Sequence, residues 1–234
     1  MQELSYESLE SIAVGRPVDR LDYIAGLSNG RVVLDIGCYD ETALEKRGTS
    51  HWLHGRMLER ADRVIGIDIS DKLPPEGLVT GPNGCIFRRD AVSMDLGGID
   101  ALSIDLIVAG EFIEHIECPI EFLRTVVRKF PGKELVISTP NGVSFSNGLM
   151  GVIGREVQHP DHLHNFTYKT LNTIFMRAGF SSWEIIPYRF YATEMILRSR
   201  GAKKLLVQCV QAGIRCIEFA FPLLSFGYIV RARI

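Results

Sequence analysis

Val32-Val33-Leu34-Asp35-Ile36-Gly37-Cys38 is the stretch that decides the fold, and Val64-Ile65-Gly66-Ile67-Asp68-Ile69 is its counterpart further along the chain. Each is an apolar run that ends at an acid, and the first breaks at once into glycine. A strand buried on both faces of a parallel sheet has this unalternating apolar character, and its carboxyl end is where such a sheet delivers a ligand-binding loop. Glycine there lets a ligand approach the backbone, because no Cβ stands in the way. A nucleotide-type loop would continue as Gly-x-Gly. This one reads Gly37-Cys38-Tyr39-Asp40-Glu41.

The same rhythm continues outward. Residues 31–36, 64–68, 85–89, 105–109 and 134–139 read as short strands, β-branched or apolar and bounded by Gly, Pro or Asp. Between them, 50–61 and 119–130 read as helices, with a weak helical turn near 74–78. Ile120, Leu123, Val126 and Val127 fall at helical spacing behind Pro119, a first-turn residue. Further on, Thr167 is an N-cap and Gly179 a helix end, 183–187 is a strand, 203–219 a C-terminal helix and 226–234 a final strand. Strands alternating with helices predict an α/β fold, a parallel sheet covered on both faces by right-handed crossovers. Residues 1–30 are expected to be a helical segment ahead of a single domain spanning 31–234. The stretch 140–165 is long for a connection and reads as a substrate or lid loop, carrying Asn141, Gly142, Asn147, Gly148, His159, His162 and His164.

Composition bounds the rest. With 234 residues, 46% of them hydrophobic and 23% charged, the chain can bury a sizeable core. A formal net charge of −2 offers no electrostatic ground for a nucleic-acid partner. Five scattered cysteines without a CxxC pair support neither a disulfide framework nor a zinc knuckle. The opening residues have no basic region and no apolar signal core, so a reduced, cytoplasmic protein is expected. The stretch 205–224 is interrupted by Gln208, Gln211, Arg215, Glu218 and Pro222, so no membrane span is expected there. It reads as an amphipathic helix packed on the domain or serving as a homodimer contact.

Asp35, Gly37 and Asp68 come first among the residues that carry chemistry. An acid at the tip of the second strand can accept hydrogen bonds from both ribose hydroxyls, and Asp90, at the end of the next, is expected beside an adenine amino group. Three successive strands ending in Asp form an order that scattered turn acids would not show.

With these residues in hand, Val33-Leu34-Asp35-Ile36-Gly37-Cys38, Ile65-Gly66-Ile67-Asp68, Arg89-Asp90-Ala91, Asp105-Leu106-Ile107-Val108-Ala109-Gly110-Glu111 and Leu135-Val136-Ile137-Ser138-Thr139-Pro140-Asn141 together resemble the class I S-adenosylmethionine-dependent methyltransferases. The closest resemblance is to the subgroup with ubiquinone-biosynthesis-type O-methyltransferases and methyltransferases of glycan and natural-product pathways. It covers roughly residues 30–179. It implies a three-layer Rossmann-like fold with a mostly parallel seven-stranded sheet whose last strand is antiparallel. It also implies S-adenosylmethionine as cofactor, with methionine-end contacts near Asp35 and Gly37, ribose at Asp68, and adenine near Ile69, Asp90 and Ala91. Cys38 and Tyr39 of the same loop are expected to line the cofactor site, with Tyr39 closing over the ligand. Gly110 and Glu111 close the cofactor side. This cofactor has no pyrophosphate, so the missing later glycines count more against NAD than against it. A small-molecule or saccharide acceptor, methylated on oxygen, is the expected substrate. An inactive methyltransferase-fold binding protein and an NAD-dependent oxidoreductase are the alternatives, the latter without Gly-x-Gly-x-x-Gly or a Tyr-x-x-x-Lys pair.

Glu111-Phe112-Ile113-Glu114-His115 is the second constellation. On a helical turn Glu111, Glu114 and His115 share a face. Three readings stand: His115 as general base with Glu111 beside it, a divalent metal site, or a cofactor contact and a structural histidine. The pattern is similar to the metal site of small-RNA 2′-O-methyltransferases, which implies Glu111, Glu114, His115 and His162 around Mg or Mn.

Overall fold

The computed structural model describes residues 4–7, 9–39 and 43–234. Asp40 and Glu41 of the opening loop lie outside the described residues. Among those described, eight strands form one sheet. They are β1 (Val32–Ile36), β2 (Arg63–Asp68), β3 (Leu78–Gly81), β4 (Gly84–Arg88), β5 (Leu106–Gly110), β6 (Glu134–Pro140), β7 (Ser182–Tyr188) and β8 (Gly227–Arg233). Their order across the sheet is β3-β4-β2-β1-β5-β6-β8-β7. β4, β2, β1, β5 and β6 run parallel, each neighbour in register over four or more residues. β8, the last strand, is antiparallel to both β6 and β7, as expected.

The eighth strand is a correction. The stretch 74–78, read as a weak helical turn, is a turn closed by Gly77 N–H to Pro74 O at 2.9 Å, and it leads into an unexpected strand, β3, which pairs antiparallel with β4. Pro82-Asn83 carries the chain round between Gly81 and Gly84, turn chemistry that a four-residue edge strand hardly advertises. A second correction lies in 140–165, which contains a helix, α5 (Phe145–Val152). Ser144 caps it by accepting the Asn147 amide, while Gly148 and Gly151 suppress its helical signal.

The remaining helices make three layers. On one face of the sheet α4 (Pro119–Lys129) and α6 (Tyr168–Ala178) press Phe122, Leu123, Val126, Leu171 and Phe175 onto Leu34, Ile36, Ile65, Ile67 and Ile107. On the other, α1 (Arg20–Leu27) and α3 (Leu53–Leu58) set Ile24, Ala25 and Met57 against Val33, Val64, Leu106 and Val108. Alternate residues of each central strand thus enter opposite cores, which is why those strands carry no polar face. Pro119 stands at the first position of α4. Thr167 closes a capping box with Thr170, and Gly179 ends α6 at φ +93°. α1 is the helix of the opening segment; the described residues before it carry none. α2 (Ala43–Lys46) and α7 (Thr193–Leu197) are short, and α8 (Gly201–Ala220) ends the helical set.

Candidate functional site

Parallel strands converge their carboxyl ends on one edge, and here β2, β1 and β5 lie side by side there. Gly37 leaves β1 at φ +65° and donates its amide to Ile67 O at 2.9 Å. The space its missing Cβ leaves is filled: a Cβ there would stand 2.5 Å from the Phe112 ring. Asp68 then ties two loops together, its Oδ2 accepting the Tyr39 amide and its Oδ1 the Ser70 amide, each at 2.9 Å. Beside it Ile69 is 70% exposed and Ala91 is buried. Asp90 is exposed and accepts the Val92 amide at 2.9 Å. An acid at a strand tip flanked by an accessible apolar side chain fits the sugar and base of a nucleoside.

Three side chains expected to line the cofactor site face elsewhere. Asp35 is 2% exposed, and its Oδ2 accepts a hydrogen bond from His54 Nδ1 of α3 at 2.8 Å. His54 Nε2 lies 2.9 Å from Thr80 Oγ1, so the chain Asp35–His54–Thr80 joins β1, α3 and β3 beneath the crevice. Tyr39 turns its ring into a small core with Trp52, Leu73 and Ile86 rather than over the crevice, which leaves its backbone at the edge. Cys38 is half-buried, and a Cβ on Gly66 would meet its Sγ at 2.6 Å, so the thiol packs on β2. The polypeptide backbone around Gly37 is what this loop presents.

Glu111 follows β5 with a left-handed backbone, φ +55°, unusual for a residue with a Cβ. The conformation is held from several sides. Its amide donates to Ser138 O at 2.8 Å, Tyr188 Oη donates to Oε1 at 2.8 Å, and Tyr191 Oη donates to Oε2 at 3.3 Å. Arg20 of α1 stands 3.9 Å from Oε1 and donates to Ser138 Oγ at 2.9 Å. Burial opposes the Arg20 charge, but Tyr191, Glu111 and Tyr188 outweigh it and raise its pKa. Burial, with Glu111 adding to it, raises the Tyr188 hydroxyl well above its ordinary value. Gly110 lies tight against Leu53 and Arg20, so α1 and α3 both pack under the end of β5.

Glu114 and His115 sit on a turn, not a helix, closed by His115 N–H to Phe112 O at 3.1 Å. Glu114 is 1% exposed and neither carboxyl oxygen has a hydrogen-bond partner; burial first, then Glu111, drives its pKa well above the carboxylate range. Its backbone carbonyl receives the amides of Leu163 (2.8 Å) and His164 (3.2 Å), which straps the histidine segment onto the turn. One ring nitrogen each of His115, His159 and His162 lies within 4.8 Å of the other two. Among the described residues no comparable group includes Glu111 or Glu114, so the set Glu111, Glu114, His115 and His162 is not brought together. Glu111 is drawn off by arginine and tyrosines, and Glu114 faces the interior. His164 instead donates Nε2–H to Glu117 O at 3.3 Å. Asn141 is buried and donates to the carbonyls of Leu223 and Ser225, so it clamps the approach to β8. A cleft of about 590 Å³ lies between α5 and the 155–165 segment, lined by Asn147, Arg155 and Gln158 among others.

Arg20, Tyr188, Tyr191, His54 and the pairing of His159 with His115 escape a reading by sequence. Each is joined to the site through tertiary contact alone, from elements far away in the chain, and no local motif marks it.

A family model described as a methyltransferase domain matches residues 10–185. No curated protein sequence matches the chain. Among solved structures, a SAM-dependent methyltransferase from Archaeoglobus fulgidus superposes with TM-score 0.53 at 20% identity, over 91% of this chain and 90% of that one. An S-adenosylmethionine-dependent methyltransferase from Mesorhizobium loti gives TM-score 0.53 at 17% identity, over 92% and 98%. The small RNA methyltransferase HEN1 gives 0.58 at 19% identity, over 91% of this chain but 24% of that larger one. With the family match spanning β1 to β6, the crevice and the Glu111–His115 turn, the chain belongs to the class I S-adenosylmethionine-dependent methyltransferases.

Proposed function

We propose that the chain transfers a methyl group from S-adenosylmethionine to an oxygen of a small molecule or saccharide. The observation that carries this reading is the placement of His115 and the strapped histidine segment at the end of β5, next to the crevice bounded by Gly37 and Asp68. When bound, the cofactor supplies an electrophilic methyl on sulfur. Asp68 holds the ribose, Ile69, Asp90 and Ala91 border the base, and the backbone of 37–39 and 110–111 lies along the methionine end. Glu111, fixed by Arg20, Tyr188 and Tyr191, shapes the wall between donor and acceptor. His115 Nδ1–H donates to Asp161 O at 3.2 Å, which leaves Nε2 as the basic nitrogen. In the metal-free protein that nitrogen takes the acceptor hydroxyl's proton. Aligning the two reactants is the larger part of such catalysis. The segment 140–165, with its cleft, is the acceptor-selecting element of a catalytic domain spanning 31–234. No helix among the described residues is long and apolar enough to cross a membrane, and a cytoplasmic site of action belongs to the same reading.

Calorimetry with S-adenosylmethionine, its demethylated product and NAD tests it. Micromolar binding of the first two is expected, with Asp68→Ala weakening both by about 1–3 kcal/mol, the scale of hydrogen bonds to a charged group. Binding of NAD alone would point to an oxidoreductase, and binding of none to a fold retained for assembly.

A further inference from the structure

We propose that His115, His159 and His162 form a three-imidazole site for a divalent transition metal of the zinc class, in place of the two-carboxylate set implied by sequence resemblance. The three ligand nitrogens already lie within 4.8 Å of one another. Tetrahedral zinc with Zn–N bonds of 2.0–2.1 Å needs nitrogens about 3.3 Å apart, so small ring rotations close the site. His115 and His162 form the tighter pair, with ring centroids 4.6 Å apart; His159 stands 5.9 and 5.5 Å from them.

The surroundings suit ligation. A metal-bound imidazole normally donates its other N–H to an oxygen, which fixes the tautomer. His115 Nδ1 has Asp161 O at 3.2 Å, and His162 Nδ1 has Gln158 Oε1 at 3.3 Å. His159 differs, because its Nδ1 accepts the Asp161 amide at 3.3 Å. On taking an ion through Nε2 its exposed ring releases that contact, and the Asp161 carboxylate, 3.9 Å from the same nitrogen, becomes the acceptor. The segment that brings two of the histidines is held by backbone hydrogen bonds: Leu163 and His164 to Glu114 O, and His162 to His159 O.

The donor set decides the class of metal. Three neutral nitrogens and no carboxylate favour zinc, cobalt or nickel over magnesium, which prefers oxygen. Three protein ligands leave a fourth position open, the pattern of catalytic rather than structural zinc. Resting on the methyltransferase reading for its role, the site would lower the pKa of an acceptor hydroxyl placed at that position. The proton leaves to water, and the oxygen is then ready to form its bond to the transferred methyl as the methyl–sulfur bond breaks.

The test titrates the full-length, metal-stripped chain with Co(II), read by the visible absorption of four-coordinate cobalt, and with zinc by competition. One ion per chain is expected. Loss of an outer-shell partner costs about 10–100-fold in affinity, so His159→Ala and His162→Ala should each weaken binding at least about tenfold. Glu114→Gln should leave it unchanged. Zinc should raise the Tm of the wild type and not of His159→Ala, whose metal-free Tm should match the wild type. Absence of cobalt binding, or loss of it in Glu114→Gln with retention in His159→Ala, overturns the proposal. A parallel titration with S-adenosylmethionine separates the two ideas: cofactor binding without metal binding sinks the site alone, and the reverse sinks the methyltransferase reading while the site stands.

Discussion

Asp35 shows how much of a motif's meaning depends on one neighbour. In the sequence it is the acid of the opening loop; in the fold it is a buried carboxylate whose partner, His54, arrives from α3. Removing His54 leaves the buried Asp35 carboxylate without its hydrogen-bond donor, at a cost of about 1–3 kcal/mol. His54→Ala is therefore expected to lose stability on that scale in a denaturant titration, with Asp35→Asn costing less because an amide can still meet His54. Gly37 makes a second point. The φ of +65° and the Phe112 ring 2.5 Å from a Cβ both oppose any side chain there. Gly37→Ala should destabilise by at least about 1 kcal/mol. Adding Phe112→Ala should not recover all of that loss, because the backbone strain persists. A double-mutant cycle measures the two contributions.

Elements whose ends are marked by caps were legible. α6, between Thr167 and Gly179, and α4, behind Pro119, lie where their capping residues put them. β3 and α5 were not, since an edge strand of four residues and a helix with two glycines carry weak local signals. α8 holds a feature invisible in composition: Glu218 is fully buried, accepts the Phe190 amide at 2.8 Å, and burial pushes its carboxyl up to about 7. A carboxyl raised in the folded state contributes stability that is complete below its unfolded pKa and is lost as pH rises through the folded value. Stability is thus expected to fall between about pH 4.5 and 7 through this group. Glu218→Gln, which keeps an acceptor for Phe190, should flatten that part of the Tm–pH curve and gain a few degrees above neutrality.

At the scale of the whole molecule, α8 buries Val207, Ile214 and Glu218 and turns Leu205, Leu206 and Val210 to the outside, each more than half exposed. These apolar side chains, flanked by the exposed Lys203 and Lys204, lie on the helix that the sequence reading expects to make a homodimer contact. Sedimentation should show a concentration-dependent dimer, shifted to monomer by Leu206→Glu with Val210→Glu. An unchanged monomer in the wild type would discard this contact.

Periodicity and strand-end chemistry determined the layered α/β architecture and the edge of the sheet where ligands gather, while the antiparallel last strand followed only from the family resemblance. They could do so because a buried parallel strand must be apolar on both faces and must release its loop at one end. Which acids look into the crevice was decided only by tertiary packing. Asp68 stayed at the rim, while His54 took Asp35, Arg20 with two tyrosines took Glu111, and burial took Glu114. A side chain's role depends on who meets it, and those partners come from elements that the local sequence does not bring together.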